Sequence, residues 1–259
     1  MTAAVVPDRR LPRVVPVAIG LSWAVALVAE ATGTSALVHH NALEGDLPLW
    51  VALGVAVAAW PVMTAAMMLP SSVPMVRLFA AVSGAQPRPR LVLAWFLAGY
   101  GVVWTAFGVV ALAGDAVLHR VVHAVPWLEA REFLVGAGVL ALAGAFQFSG
   151  LKERCLVECR HPAAFLMPRY RRGSGPAFRL GLAHGLFCLG CCWALMLVLF
   201  ATGVGELWWM AALTAVMVAE KVARGGRRLA PVVGLVLLGW AGLVAAQPAW
   251  LPAVFVGTG

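Results

Sequence analysis

Three cysteines and a histidine lie within nine residues, from His184 to Cys192, and Met196 follows one helical turn later. Residues three and four positions apart share one face of a helix, so His184, Cys188, Met196 and either Cys191 or Cys192 form one stripe. Thiolate, imidazole and thioether groups together suit a soft metal, Cu(I) first and Zn(II) second. A lone cysteine in a membrane helix usually serves packing, but this density favours a metal or thiol function.

A second pair of thiols, Cys155 and Cys159, precedes this stripe in a basic segment. Their i, i+4 spacing lets both chelate one ion from a short helix. The pair could pass a metal to the later cysteines or complete one four-sulfur site with them. The spacing alone equally allows two incidental thiols.

Methionines are the third group of soft side chains. Met63 and Met67 share one helical face, and Met210 and Met217 stand a heptad apart further along the chain. Such residues more often fill gaps in a core than bind a cofactor. Their predicted membrane depth matches that of the cysteines, so Met63 and Met67 are expected to line the opposite wall of the metal site.

Charged and imidazole groups offer weaker signals. Glu220 and Lys221 follow the last methionines, and we expect this pair to mark the membrane interface. A loose group of harder ligands is expected on the outer side, where solvated histidines are common. Its members are His39, His40, Glu44, His119 and His123.

The composition requires a membrane around these residues. Hydrophobic residues make up 62% of the 259, charged residues only 12%, and the mean hydropathy is +0.90. Soluble domains hold about 45–50% apolar and about 25% charged residues, so an ordinary soluble fold is excluded. The pattern predicts an all-α, polytopic transmembrane helix bundle of about seven spans, with six possible. The predicted spans are Val14–Val38, Leu49–Leu69, Leu91–Gly114, Phe133–Gly150, Ala177–Ala201, Leu207–Val222 and Leu229–Ala246.

Positive charge is distributed unevenly between the segments that join these spans. Of the 19 Lys and Arg residues, 17 fall in alternate segments and only Arg120 and Arg131 fall in the others. The positive-inside rule then predicts a multi-pass protein of the cell membrane with a cytoplasmic N-terminus. The net charge of +8 is therefore explained by topology, and no nucleic acid partner is expected.

The predicted organisation is one transmembrane domain with short tails. Residues 1–13 form a cytoplasmic tail, residues 14–250 the membrane domain, and residues 251–259 a short C-terminal tail. A basic cytoplasmic loop at about 151–176 is expected to hold one amphipathic helix on the inner leaflet. All five cysteines then face the reducing side, where structural disulfides are not expected.

The combination resembles a family of predicted metal-binding integral membrane proteins whose shared domain has no assigned function. The matching elements span residues 60 to 222. They are Trp60-x-x-Met63-x-x-Ala-Met67-Met68-Leu-Pro70, Lys152-x-x-Cys155-Leu-x-x-Cys159-Arg160-x-Pro162, His184-Gly-x-x-Cys188-x-Gly-Cys191-Cys192-Trp193-Ala-Leu-Met196 and Glu220-Lys221. The resemblance implies a polytopic membrane protein with a metal site at these Cys, His and Met positions.

The sequence therefore predicts a membrane protein that binds copper, or next zinc, for metal handling or transfer. Its expected partners are the lipid bilayer and a metal-delivering or metal-receiving protein. Two alternatives stay open: a membrane thiol-disulfide oxidoreductase using Cys188-x-x-Cys191, and a non-catalytic assembly partner whose cysteines only pack. No P-loop, GxSxG, HExxH or dinucleotide-binding glycine motif is present, so the chain is not expected to be an ATPase or hydrolase.

Overall fold

The computed structural model describes residues 11–34, 49–202 and 206–247, and these ranges hold ten helices and no strand. The all-α prediction is confirmed. The predicted tails lie almost wholly outside the described residues, as do His39, His40 and Glu44. The helices are α1 (Val14–Ala31), α2 (Leu49–Ser83), α3 (Pro89–Ala124), α4 (Pro126–Glu129), α5 (Phe133–Phe146), α6 (Gly150–Arg160), α7 (Pro162–Arg169), α8 (Ser174–Thr202), α9 (Leu207–Val222) and α10 (Gly226–Ala246).

Five of the described helices are long and apolar enough to cross a membrane. They are α1, the Val57–Ser83 part of α2, α3, α8 and α10. Helices α5 and α6 are bent by 63° at their junction and would together make a sixth span. Helix α9 has 16 residues, fewer than the about 20 that cross a bilayer core. The count of seven spans therefore stays a prediction that depends on α5 and α9.

Helices α3 and α8 run parallel and form the closest helix pair of the bundle. A Cβ on Gly181 of α8 would meet the backbone carbonyl of Phe96, and one on Gly185 would lie 3.0 Å from the Val103 side chain. Such a contact needs residues without side chains on the facing surface. Gly181 and Gly185 thus allow the close approach of α3, and Cys188, Cys191 and Cys192 on α8 are buried in the bundle.

Helix α2 continues for 35 residues through Pro61, Pro70 and Pro74, well past the predicted end at Leu69. Proline lacks an N–H, so Pro70 cannot donate to the carbonyl of Ala66 four residues earlier. The indole Nε1 of Trp23 on α1 donates to that carbonyl at 3.1 Å instead. A neighbouring helix thereby compensates for the proline, and α2 does not break there.

The basic segment after α5 forms two helices, α6 and α7, rather than the single surface helix expected. Lys152, Cys155 and Leu156 of α6 are buried, and α6 packs against α8. Hydropathy alone placed this segment at the surface, because it cannot show that the charge of Lys152 has a buried partner. Its Nζ lies 2.6 Å from Glu220 Oε2 on α9, and each side chain is 1% exposed.

Candidate metal centre

Cys188 lies in a buried pocket of polar groups contributed by three helices. Its Sγ is 3.1 Å from Lys221 Nζ on α9 and 3.2 Å from the Tyr100 hydroxyl on α3. Lys221 also donates to Ser71 Oγ on α2 at 3.0 Å. These contacts place Ser71 of α2, Cys188 of α8 and Lys221 of α9 at one level along the bundle. The expectation that Glu220 and Lys221 mark the interface was wrong, because both are buried and bonded in the core.

The other thiols form a chain of close pairs. Cys191 Sγ lies 3.4 Å from Cys192 Sγ and 4.0 Å from Cys159 Sγ on α6. Cys191 Sγ also donates to the backbone carbonyl of Cys188 at 3.1 Å. All five cysteines are free, and Cys159 is the only one that is partly exposed. Helix α6 therefore brings one thiol from the basic segment to the cysteines of α8.

Cys155 and Cys159 have different surroundings although they share α6. Cys155 is buried, and its Sγ occupies the space left by the missing side chain of Gly190 on α8. Its contact with α8 is one of packing, whereas Cys159 contacts a second sulfur. The spacing predicted that Cys155 and Cys159 act together, but each contacts a different residue of α8. Cys155 contacts Gly190, and Cys159 contacts Cys191.

His184 contacts Ser72, one of the polar residues that surround Cys188. Its Nε2 lies 3.3 Å from Ser72 Oγ, and Ser72 donates to the Tyr100 hydroxyl at 3.1 Å. The ring stacks on Tyr100, with centroids 5.5 Å apart, and packs edge-on against Phe165 at 5.8 Å. The structure thus links His184 to Cys188 through Ser72 and Tyr100.

The predicted methionines all lie in the core. Met67 and Met196 are fully buried, Met63 is 8% exposed, and all three belong to one apolar cluster with Cys188, Cys191 and Cys192. That cluster includes three further buried methionines: Met68, Met210 and Met217. The cysteines therefore lie in surroundings rich in thioether groups.

Two basic side chains of α6 bind the C-terminal end of α9. Lys152 pairs with the Glu220 side chain, while Arg160 donates to the backbone carbonyls of Glu220 and Ala223, the latter at 2.8 Å. Both ends of α6 are thereby attached to the helix that also supplies Lys221. Sequence reasoning missed Lys152 and Arg160 here, although their place in the Lys152-to-Pro162 motif was a signal.

The pocket's other polar members were also missed: Ser71, Ser72 and Tyr100. A serine pair and a tyrosine give no local pattern, and only the packing of α2 and α3 against α8 brings them together. The run Pro70-Ser71-Ser72 within an apolar stretch was the one available signal.

The outer histidines are only partly described. His123 Nδ1 lies 3.2 Å from Glu129 Oε1, and His119 Nδ1 lies 3.6 Å from Asp115 Oδ1. Over residues 11–34, 49–202 and 206–247, no three His, Cys, Asp or Glu side chains are already arranged to hold one metal ion. Each close contact among the thiols joins two sulfur atoms, as in Cys191–Cys192 and Cys191–Cys159.

Comparison with known proteins gives one match. No curated protein and no solved structure matches the chain. The family model PpoB2, described as copper chaperone, matches residues 57–244, well over half of the chain. This match covers α6, α8, α9 and most of α2, which carry the cysteines and the buried methionines. The chain therefore belongs to the PpoB2 copper chaperone family.

Proposed function

We propose that this chain is a copper chaperone of the cell membrane that holds Cu(I) on Cys188, Cys191 and Cys192. The observation that carries the proposal is the sulfur chain, in which Cys191 contacts Cys192 at 3.4 Å and Cys159 at 4.0 Å. Membership of a copper chaperone family supports copper as the cargo of this site. Five long apolar helices are compatible with its insertion in a membrane.

The spacing of the thiols suits a shared ion. Two sulfur atoms bound at about 2.3 Å to one metal at a tetrahedral or trigonal angle lie about 3.8–4.0 Å apart. The observed pairs, at 3.4 and 4.0 Å, need only small side-chain movements to reach that separation. Soft thiolates in an apolar core favour Cu(I), which three sulfurs can hold at a trigonal angle, whereas structural zinc takes four ligands.

The charge around the pocket also supports bound Cu(I). A monovalent ion on three thiolates leaves two negative charges, which are costly to bury without a partner. Lys152 already pairs with Glu220 at 2.6 Å. Lys221 Nζ lies 3.1 Å from Cys188 Sγ and supplies one compensating positive charge.

The remaining predicted residues take roles around this core. Cys159, partly exposed on α6, would exchange Cu(I) with a metal-delivering or metal-receiving protein on the cytoplasmic side. Met63, Met67 and Met196 would place soft thioether groups beside the thiols, and His184 would hold Ser72 and Tyr100 beside Cys188. Cys155 is assigned to packing against Gly190 rather than to the metal.

The test is the metal content of protein purified under reducing conditions and loaded with Cu(I) or Zn(II). Wild type is expected to retain stoichiometric Cu(I), and the Cys188/Cys191/Cys192→Ser variant to lose it. The matched control is Cys155→Ala, which removes a buried thiol of the same cluster and should retain copper. Equal copper in wild type and triple variant would overturn the proposal. A metal-free wild type that forms mixed disulfides through Cys188 or Cys191 would favour the oxidoreductase alternative.

A further inference from the structure

The buried methionines continue the sulfur chain toward the outer end of the bundle. We propose that Cu(I) crosses the membrane core along these thioethers, so that the chain conducts copper as well as holding it. The path leads from the thiols to Met217 and Met67, then to Met63 and Met196, and ends at Met210. This inference rests on the proposed function, because the thiols load the path.

The register of three helices places the methionines in layers. Lys221 touches both Ser71 and Cys188, so these three residues define one level in α9, α2 and α8. One turn further out, about 6 Å at 1.5 Å per residue, stand Met217, Met67 and Cys192. Helices α2 and α9 run antiparallel to α8, so moving outward means lower numbers on the first two and higher numbers on α8.

The layers continue beyond that first turn. Met63 on α2 and Met196 on α8 each stand two turns, about 12 Å, from the level of Lys221. Met210 on α9 stands three turns away, about 16 Å. Each layer therefore offers at least one sulfur, and successive layers are about one turn apart.

Burial shows that this arrangement is internal. Six of the nine methionines in the chain belong to the one apolar cluster that also holds four of the five cysteines. Met67 and Met217 are fully buried and Met210 is 3% exposed. Thr64 lies between Met63 and Met67, and its buried hydroxyl has no hydrogen-bond partner.

The chemistry needs no electron transfer. Cu(I) remains Cu(I), and at each step one sulfur ligand replaces another. Thioethers are soft enough to bind Cu(I) and carry no charge, so they hold it less firmly than thiolates do. A conduction path requires sites that bind well enough to accept the ion and weakly enough to release it.

The experiment measures Cu(I) flux into proteoliposomes that enclose a membrane-impermeant Cu(I) indicator. The informative variants are Met210→Leu and Met217→Leu, since leucine keeps the volume and removes the sulfur. Each is expected to lower the flux at least tenfold while Cu(I) retained by the detergent-purified protein stays within twofold. The matched control is Met75→Leu, because Met75 is a buried methionine of α2 that belongs to a different cluster. Its flux should equal that of wild type.

The outcomes separate this inference from the proposed function. Wild type that retains Cu(I) but gives no flux above empty vesicles overturns conduction and leaves the chaperone role standing. Flux unchanged in both leucine variants also overturns it, because the methionines then serve packing alone. Wild type that retains no Cu(I) overturns the proposed function instead. A thermal unfolding midpoint for each variant, measured in detergent, shows whether a lost flux reflects lost folding.

Discussion

Lys221 Nζ lies 3.1 Å from Cys188 Sγ at a depth where the cysteine is fully buried and the lysine is 6% exposed. The nearest carboxylate on α9, Glu220, is engaged by Lys152. A buried ammonium is costly unless it has a partner. The position of Lys221 is therefore best explained by the negative charge of a thiolate, or of a copper ion bound by thiolates.

The first prediction concerns that charge. Replacing Lys221 with Leu removes the cation without introducing a sulfur ligand, so a buried copper–thiolate group loses its counter-charge. At an effective dielectric constant of about 20, a pair at this distance is worth several kcal/mol, and we expect Cu(I) affinity to fall at least about tenfold, or 1.4 kcal/mol. Competition with a colorimetric Cu(I) chelator measures it.

Lys221→Arg is the matched variant, because it keeps the charge and changes the shape. It should recover most of the affinity lost in Lys221→Leu, although Arg and Lys differ in geometry. Equal affinity in wild type and both variants would show that Lys221 plays no part in copper binding and only packs there.

The stripe of His, Cys and Met residues on α8 could be predicted because it is local. His184, Cys188, Cys192 and Met196 follow one another at helical spacing, and Gly185 marks the face that approaches another helix. Periodicity on a single helix fixes which side chains lie together, whatever the rest of the fold does. The burial of this whole set agrees with that expectation.

The other half of the site depends on packing between distant segments. Lys221 and Lys152 were expected at the cytoplasmic surface because hydropathy treats each charge alone. Each is buried because it has a partner, Glu220 for Lys152 and Cys188 for Lys221. No local sequence pattern encodes this pairing. Tyr100 was missed for the same reason, since it enters the pocket from α3.

The second prediction compares a buried ion pair with an exposed one. Removing one partner from Lys152–Glu220 leaves an uncompensated buried charge, so Glu220→Gln should destabilise the protein by about 3–5 kcal/mol. The matched control is Glu153→Gln, whose partner Arg227 lies on the surface with both side chains more than half exposed. That change should cost less than about 1 kcal/mol. Unfolding in detergent measures both.

A paired replacement completes the comparison. Lys152→Met combined with Glu220→Leu removes both charges together, and it should recover much of the stability that Glu220→Gln loses. If Glu220→Gln is no more harmful than Glu153→Gln, the ion pair does not hold α6 in place.

The third prediction concerns the close approach of α3 and α8. A methyl group on Gly181 meets the backbone carbonyl of Phe96, which cannot move unless the helices separate. Gly181→Ala should therefore destabilise the bundle by about 1–3 kcal/mol despite the higher helix propensity of alanine. Gly101→Ala on α3 is the control, because nothing lies within 4 Å of its added Cβ. It should be neutral or slightly stabilising, and an equal loss in both variants would contradict the packing argument.

The fourth prediction concerns the link between α1 and α2. Trp23 Nε1 donates at 3.1 Å to the Ala66 carbonyl, which Pro70 leaves without its helical donor. Trp23→Phe should cost about 1–2 kcal/mol, because it leaves the buried Ala66 carbonyl without a partner. In a Pro70→Ala background the new N–H of residue 70 can bond to Ala66, so the same substitution should cost clearly less. A double-mutant cycle on the free energy of unfolding measures the difference. Equal costs in both backgrounds would mean that Trp23 stabilises the protein by packing alone, and that the freed carbonyl of α2 needs no donor from α1.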